Sequence, residues 1–325
     1  MKQKNIYKTK EFEASRNICE ELLESTQLKF KTIGGGINGN ILTAQKGEKK
    51  LIIKIYNGRN KGEKAERLSR ERAFREYLKH NLRTNYPNII RCDDNHAIAI
   101  MEYIPGEDIA NLTNEDIEQI TVDIKRINAK KLKFEKLQEA TESLHNIDDF
   151  KNRIIQRMKT LKVSNNDTKL SREAKEWFAD CIKHKIIEEL KHERLDIRMK
   201  QWQSPCLGRY ASYSDVGTHN MKRVNNKFYY FDFEYSGKDD IAKYVNDWTE
   251  SPDSKMREEQ KIQFERRMID LFGEQDETCG KRIESVKRII RYKWVLIMLN
   301  SAKINRITEE QVQKIKSYCV KKKLL

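Results

Sequence analysis

Residues 11–26 place Phe12, Ile18, Leu22 and Leu23 on one side at helical spacing, which predicts a leading helix. The period then changes. Leu28, Phe30 and Thr32 alternate with polar residues, Ile41–Ala44 follows a cluster of glycines, and Leu51–Tyr56 is a β-branched apolar run after a Lys/Gly turn at 46–50. This pattern predicts three short antiparallel strands. A charged stretch from about Lys61 to His80 carries Leu68, Phe74, Tyr77 and Leu78 on one helical face, and Ile89-Ile90 and Ala97–Tyr103 predict two further strands. Beyond Pro105-Gly106 the period is mostly helical. Thr113–Asp116 has the form of a capping box for a helix to about Ala129. Apolar residues recur at helical spacing over 148–162, 171–200, 256–272, 281–299 and 308–321, interrupted by a β-rich island at 210–235. The expectation is an α+β chain with a β-rich N-terminal lobe, 1–104, and a larger mainly helical lobe, 105–325.

Composition narrows this. Of 325 residues only 13 are glycine and 4 proline, which disfavours a turn-rich all-β fold, and four of those glycines fall between Gly34 and Gly39. Charged residues reach 35% and hydrophobic ones only 38%, but 28 aromatic side chains spread along the chain argue for a folded protein rather than a disordered one. The formal charge of +15 is spread evenly: residues 1–104 hold 21 basic and 13 acidic side chains, residues 105–325 hold 44 and 37. No basic block stands out, so nucleic acid is an unlikely partner that the charge alone leaves open. The six cysteines form no CxxC pair, which fits free thiols in a reducing compartment. The longest apolar run, Trp294–Leu299, is too short to span a bilayer, and Met1-Lys2-Gln3-Lys4 begins no apolar signal segment. A cytoplasmic location is expected.

The candidate chemistry starts with the glycines. Gly34-Gly35-Gly36-Ile37-Asn38-Gly39 matches G-x-G-x-x-G, and Asn40 follows. In a dinucleotide-binding βαβ unit the motif opens a helix; here a strand follows. The alternatives are a strand–turn–strand loop covering a nucleotide's phosphates and a plain hairpin turn. Lys54 is the lone cation inside an apolar strand. It is either a solvent-facing residue of an edge strand or a phosphate-binding lysine paired to a helix glutamate. Glu71 shares the apolar face of the next helix, three and seven residues before Phe74 and Leu78, and Glu63, Glu66 and Glu76 are its rivals. Further on, Asp215 and Asn220 stand five apart in Ser214–Asn220, and Asp232 follows an aromatic strand in Phe231-Asp232-Phe233-Glu234. Singly these are turn formers or strand ends. In order they match a kinase catalytic loop, where the aspartate orients the acceptor hydroxyl and the asparagine and second aspartate hold Mg²⁺. His219 reads as loop packing or a substrate contact.

On these motifs the chain resembles the aminoglycoside phosphotransferase and choline kinase superfamily, which has the protein-kinase fold. Met101-Glu102-Tyr103-Ile104-Pro105-Gly106 looks like that superfamily's hinge, Asp232-Phe233-Glu234-Tyr235-Ser236-Gly237 is similar to the choline kinase metal motif, no Ala-Pro-Glu segment follows, and Asn246, Trp248 and Glu250 fit the choline kinase pattern. Tyr213 stands where the superfamily usually has histidine, and Tyr213–Asn220 also looks like an uncharacterised bacterial branch. The resemblance covers about 28–105 and 205–250. It implies a two-lobed protein-kinase-like fold and an ATP- and Mg²⁺-dependent transfer of the γ-phosphate to a hydroxyl of a small molecule such as a sugar, amino alcohol or aminoglycoside-like compound. The implied catalytic set is Asp215, Lys54, Asn220 and Asp232, with Asn220 and Asp232 on the metal. Gly34, Gly35, Gly36, Gly39, Asn40, Lys54, Glu71, Glu102 and Tyr103 would hold the nucleotide. A kinase acting on protein or RNA and a non-catalytic nucleotide-binding module are the alternatives. Neither the acceptor nor the oligomeric state is legible.

Overall fold

The computed structural model describes residues 6–35, 39–58, 60–81, 85–144, 147–192 and 209–325. The fold class is the expected one: an antiparallel five-stranded sheet in the N-terminal part and helices through most of the remainder. The chain divides into two compact units. The first comprises 1–110, 126–138 and 218–237; the second comprises 111–125, 139–217 and 238–325. The first segment therefore runs six residues past the division expected at 104/105, and the first unit also takes in two later segments.

In the first unit, helix α1 (Lys10–Leu22) starts where the Thr9 hydroxyl accepts a hydrogen bond from the Phe12 amide, 3.1 Å. It ends four residues before the expected position 26, because the chain turns through Leu23 into a left-handed Glu24, φ +49°. The sheet has the order β1 (Lys29–Gly35), β2 (Gly39–Lys46), β3 (Lys49–Tyr56), β5 (Ile98–Glu102), β4 (Ile89–Asp93). Strand period decides which face each side chain takes. Leu51, Ile53 and Ile55 of β3 and Ile98 and Ile100 of β5 form one core with Phe12, Cys19 and Leu23. Tyr56, Ala99 and Met101 turn to the opposite face, against Leu68. Lys54 has the same parity as Tyr56, so it points away from α1. It is buried and lies on a strand paired on both sides, by β2 and β5, which removes the edge-strand alternative.

Helix α2 (Lys61–Asn81) buries Leu68, Glu71, Phe74 and Leu78, one face at spacings of three and four. The segment 218–237 contributes a hairpin, β7 (Met221–Val224) and β8 (Lys227–Tyr230). Its two-residue turn, Asn225-Asn226, has φ +48° and +59°, the left-handed pair that matches strand twist and that asparagine tolerates.

In the second unit, β6 (Arg209–Ser212) pairs with β9 (Gly237–Asp240). Helix α3 (Asn114–Ala129) is shared between the units and opens with the expected box: the Thr113 hydroxyl accepts from the Asp116 amide, and an Asp116 carboxylate oxygen accepts from the Thr113 amide. Helices α4 (Ile147–Lys159), α5 (Lys169–Cys181) and α6 (Lys183–Lys191) follow. The single helix expected over 171–200 is thus two, broken at Ile182, which caps both (φ −118°, ψ −39°), and 193–200 lies outside the described residues. Helix α7 (Ile241–Glu250) is buried along its whole length and packs on α9 (Cys279–Met298), with α8 (Glu258–Gly273) beside them; α10 (Asn300–Lys303) and α11 (Glu309–Lys321) complete the chain. Charges on a fully buried helix need partners, and Lys243 has them: its ammonium donates to Asp239 (2.8 Å) and Asp247 (2.6 Å), while Lys293 of α9 also reaches Asp247. Five cysteines are free thiols, and Cys206 lies outside the described residues. Among the described residues no helix is long and apolar enough to cross a membrane.

Candidate functional site

The site in the first unit is built around Lys54. Its ammonium donates to Glu71 at 2.7 Å and to Asp232, and lies 3.3 Å from Glu234. Burial alone would lower its pKa, but the Asp232 and Glu71 carboxylates outweigh that and hold it well above the ordinary value, so Lys54 is a fixed cation. Glu71 is the lysine's helix partner. Its rivals serve elsewhere: Glu63 pairs with Arg67, Glu66 with Arg70, and Glu76 with Lys133. Glu71 is completely buried, yet Lys54 and Arg75 together overcome the burial cost and press its pKa down to about 2. Its Oε2 also accepts from the Tyr56 hydroxyl, 2.6 Å, and its Oε1 from Arg75, 2.7 Å.

The β7–β8 hairpin explains the twelve-residue spacing between Asn220 and Asp232. The ladder pairs Met221 with Tyr230, and the Phe231 amide donates to the Asn220 carbonyl, 3.1 Å. The two site residues therefore meet at the hairpin's open end. Asp232 adopts a left-handed backbone, φ +67°, a conformation that costs a non-glycine residue roughly 1 kcal/mol or more and that clusters at functional sites. The next residues are gripped by α2. Arg67 donates to the Tyr235 hydroxyl (3.0 Å) and to Glu234, and Arg70 to the Ser236 carbonyl (3.3 Å).

Sequence reasoning passed over Glu234, Tyr56 and Arg75. Arg75 was within reach, since it stands one helical turn beyond Glu71. Glu234 had no such signal. It is buried, its Oε2 accepts no hydrogen bond, and burial reinforced by the neighbouring Asp232 and Glu71 charges raises its pKa to about 7 despite Lys54. Asp232, Glu234 and Asn220 are hard oxygen donors of the type Mg²⁺ takes. Among the described residues no three His, Cys, Asp or Glu side chains are grouped so as to hold a metal by themselves.

A cavity of about 150 Å³ opens beside Lys54, lined by Ile33, Ile41 and Ile52 of the sheet and by Met101–Ile104. Whole small-molecule pockets run to about 300–1,000 Å³, so this one is sized for a single ring system. Glu102 ends β5 with its carboxylate accepting from the Asn88 amide and side chain, 2.9 and 3.0 Å, and Tyr103 lies under the Lys50 ammonium. Gly34 and Gly35 end β1, and Gly39 and Asn40 open β2; Gly36 lies outside the described residues. At Gly39 a Cβ would stand 2.9 Å from the Ile55 carbonyl oxygen, so no other residue fits that close strand approach.

Asp215 belongs to the second unit. It follows Ser214, whose backbone is left-handed (φ +65°) and whose hydroxyl donates to the Thr141 carbonyl, 3.0 Å. Tyr213 is buried edge-on to Tyr244, and His219 is exposed. Asn246, Trp248 and Glu250 are all buried in packing: Asn246 donates to the Ala242 and Ile283 carbonyls, Trp248 rests on Phe264, and Glu250 pairs with Arg291 and Lys322.

No protein-family model and no curated protein matches the chain. Solved structures do. A choline kinase from Cryptosporidium parvum Iowa II shares 17% identity over 96% of this chain and 95% of its own, with TM-score 0.55. The spectinomycin phosphotransferase APH(9)-Ia, in complex with ADP and spectinomycin, shares 16% over 95% and 98%, TM-score 0.58. A choline/ethanolamine kinase family protein from Mesorhizobium loti shares 12% over 95% of each, TM-score 0.61. At these identities what is common is the fold, that of the protein-kinase-like phosphotransferases.

Proposed function

We propose that this protein is an ATP-dependent phosphotransferase acting on a hydroxyl group of a small molecule. The observation that carries the reading is the buried Lys54 ammonium, clamped between Glu71 and Asp232 at the mouth of a ring-sized apolar cavity. The cavity would take the adenine, with the backbone near Glu102 and Tyr103 reading its edge. Lys54 would grip the α- and β-phosphates, and Gly34–Gly39 with Asn40 would close over them. Asn220 and Asp232, with Glu234 behind them, would hold Mg²⁺, whose charge offsets that of the phosphates. Asp215 would orient the acceptor hydroxyl and receive its proton as the new oxygen–phosphorus bond forms, the bond from the γ-phosphorus to its bridging oxygen breaks, and ADP leaves. Positioning and electrostatics supply such catalysis, since no covalent enzyme intermediate is needed. The ADP-bound spectinomycin phosphotransferase and the choline kinase of the same fold support a small acceptor.

An ATP-consumption screen over sugars, amino alcohols, aminoglycosides and nucleosides tests this. With an accepted substrate, Asp215→Asn and Asp232→Asn should each lower kcat by at least about a hundredfold. Wild-type turnover in both variants would sink the assignment. Label from ATP appearing on protein or tRNA instead would move the acceptor to a macromolecule. Mg-ATP binding without transfer to any acceptor would favour a binding module.

A further inference from the structure

In the second unit an apolar groove of about 490 Å³ lies between α4, α5 and α6, within the range of small-molecule pockets. Its floor is Leu161, Phe178 and Leu190, all buried, and its upper walls include Val163 and Ile187, exposed by 46% and 36%. Every polar side chain of the lining is a lysine: Lys151, Lys159, Lys162, Lys175, Lys183 and Lys191. None of the chain's 50 carboxylates lines it among the described residues. Lys175 is buried and bound to Asp167 at 2.6 Å, while Lys159, Lys162, Lys183 and Lys191 are exposed.

Two of the helices that line it, α4 and α6, carry the same nine-residue pattern. Residues 151–159 read KNRIIQRMK and residues 183–191 read KHKIIEELK. In each, the first isoleucine (Ile154, Ile186) is completely buried in the core and the second (Ile155, Ile187) lines the groove, with lysines at both ends of the wall. Lysine stems lie along apolar surface and keep their heads in water. An apolar trough with cationic rims on both sides is complementary to a molecule with an alkyl body and an anionic head.

The geometry points to a binding site here for a monomeric single-chain anionic amphiphile of the fatty-acid type. The groove's volume is that of one small molecule, and its lysines are mobile point charges that suit a single carboxylate head rather than a planar two-point contact. The site shares no lining residue with the Lys54 cavity, so it stands or falls independently of the phosphotransferase reading.

Calorimetric titration of the full chain with dodecanoate, below its micellar concentration, tests it. Dodecanoate is expected to saturate one site at micromolar concentration and to bind at least tenfold more tightly than dodecyltrimethylammonium. Ile187→Asp, and separately Lys159→Glu combined with Lys183→Glu, should each weaken it at least tenfold while thermal midpoint and nucleotide binding stay unchanged. Equal binding of the cationic amphiphile, or unchanged affinity in both variants, would overturn the proposal. So would binding only to anionic phospholipid vesicles, tighter binding of an acidic amphipathic peptide, or a dimer of the chain that the same variants dissociate.

Discussion

Glu71 concentrates the physics of the site in one residue. A carboxylate buried this deeply is stable only because Lys54, Arg75 and Tyr56 all donate to it. Its pKa falls from an ordinary 4.5 to about 2 on folding. A depressed folded-state pKa contributes stability that is present above the unfolded value and is lost as pH falls through the folded one. Glu71→Gln should therefore cost about 2–4 kcal/mol at pH 7 by urea denaturation. The gap between the two proteins should close as pH drops from about 5 towards 2. A gap that stays constant with pH would show that the loss is one of packing, not charge. At this scale much of the site was legible. Strand parity gives Lys54 its face, and helical spacing puts Glu71 inward. What stayed hidden were the partners that cross elements. No local pattern says that Tyr56 reaches the Glu71 carboxylate and Glu234 the Lys54 ammonium, from a strand and a loop far apart in the chain.

The β7–β8 hairpin acts as one element that sets a distance. Its two-residue turn fixes the register, and the register brings Asn220 beside Phe231 and hence Asp232. Asn225 holds the first left-handed position, φ +48°. Asn225→Gly should leave the urea midpoint nearly unchanged, whereas Asn225→Val should cost about 1–2 kcal/mol, the penalty of forcing a β-branched residue into that region. If the hairpin positions the site, the valine variant should also lose ATP turnover at urea-free stability sufficient to keep it folded. Turnover equal to the glycine variant's would mean the register is held by something other than the turn. Elements as a whole were read well where the period was long and strong, as in α2 and α3. The errors were at ends and joints. Glu24 and Ile182 redirect the backbone without glycine or proline to announce it, so the helical pattern overruns the end of α1 and continues unbroken from α5 into α6.

At the scale of the whole molecule the charge of +15 has no single location. The candidate site around Lys54 accounts for little of it, because the cations Lys54, Arg67 and Arg75 are matched there by Glu71, Asp232 and Glu234. Lysines rim the groove in the second unit, and the remainder is distributed surface charge. Distributed like charge disfavours the compact state. Exposed charges are screened over about 10 Å at 0.1 M salt, while buried pairs such as Lys243 with Asp239 and Asp247 are hardly screened at all. Salt should thus relieve the repulsion and spare the internal ion pairs. Raising sodium chloride from 20 to 200 mM should lift the thermal midpoint by about 1–2 °C, equivalent to roughly 1 kcal/mol for a chain of this size. Surface pairs such as Arg91 with Glu21 and Lys314 with Asp253 work against this, since salt weakens them too, but exposed pairs contribute little each. A midpoint that falls with salt would reverse the argument: the exposed ion pairs would then outweigh the net repulsion, and the excess of lysine and arginine would be a stabilising network and not a burden on the fold.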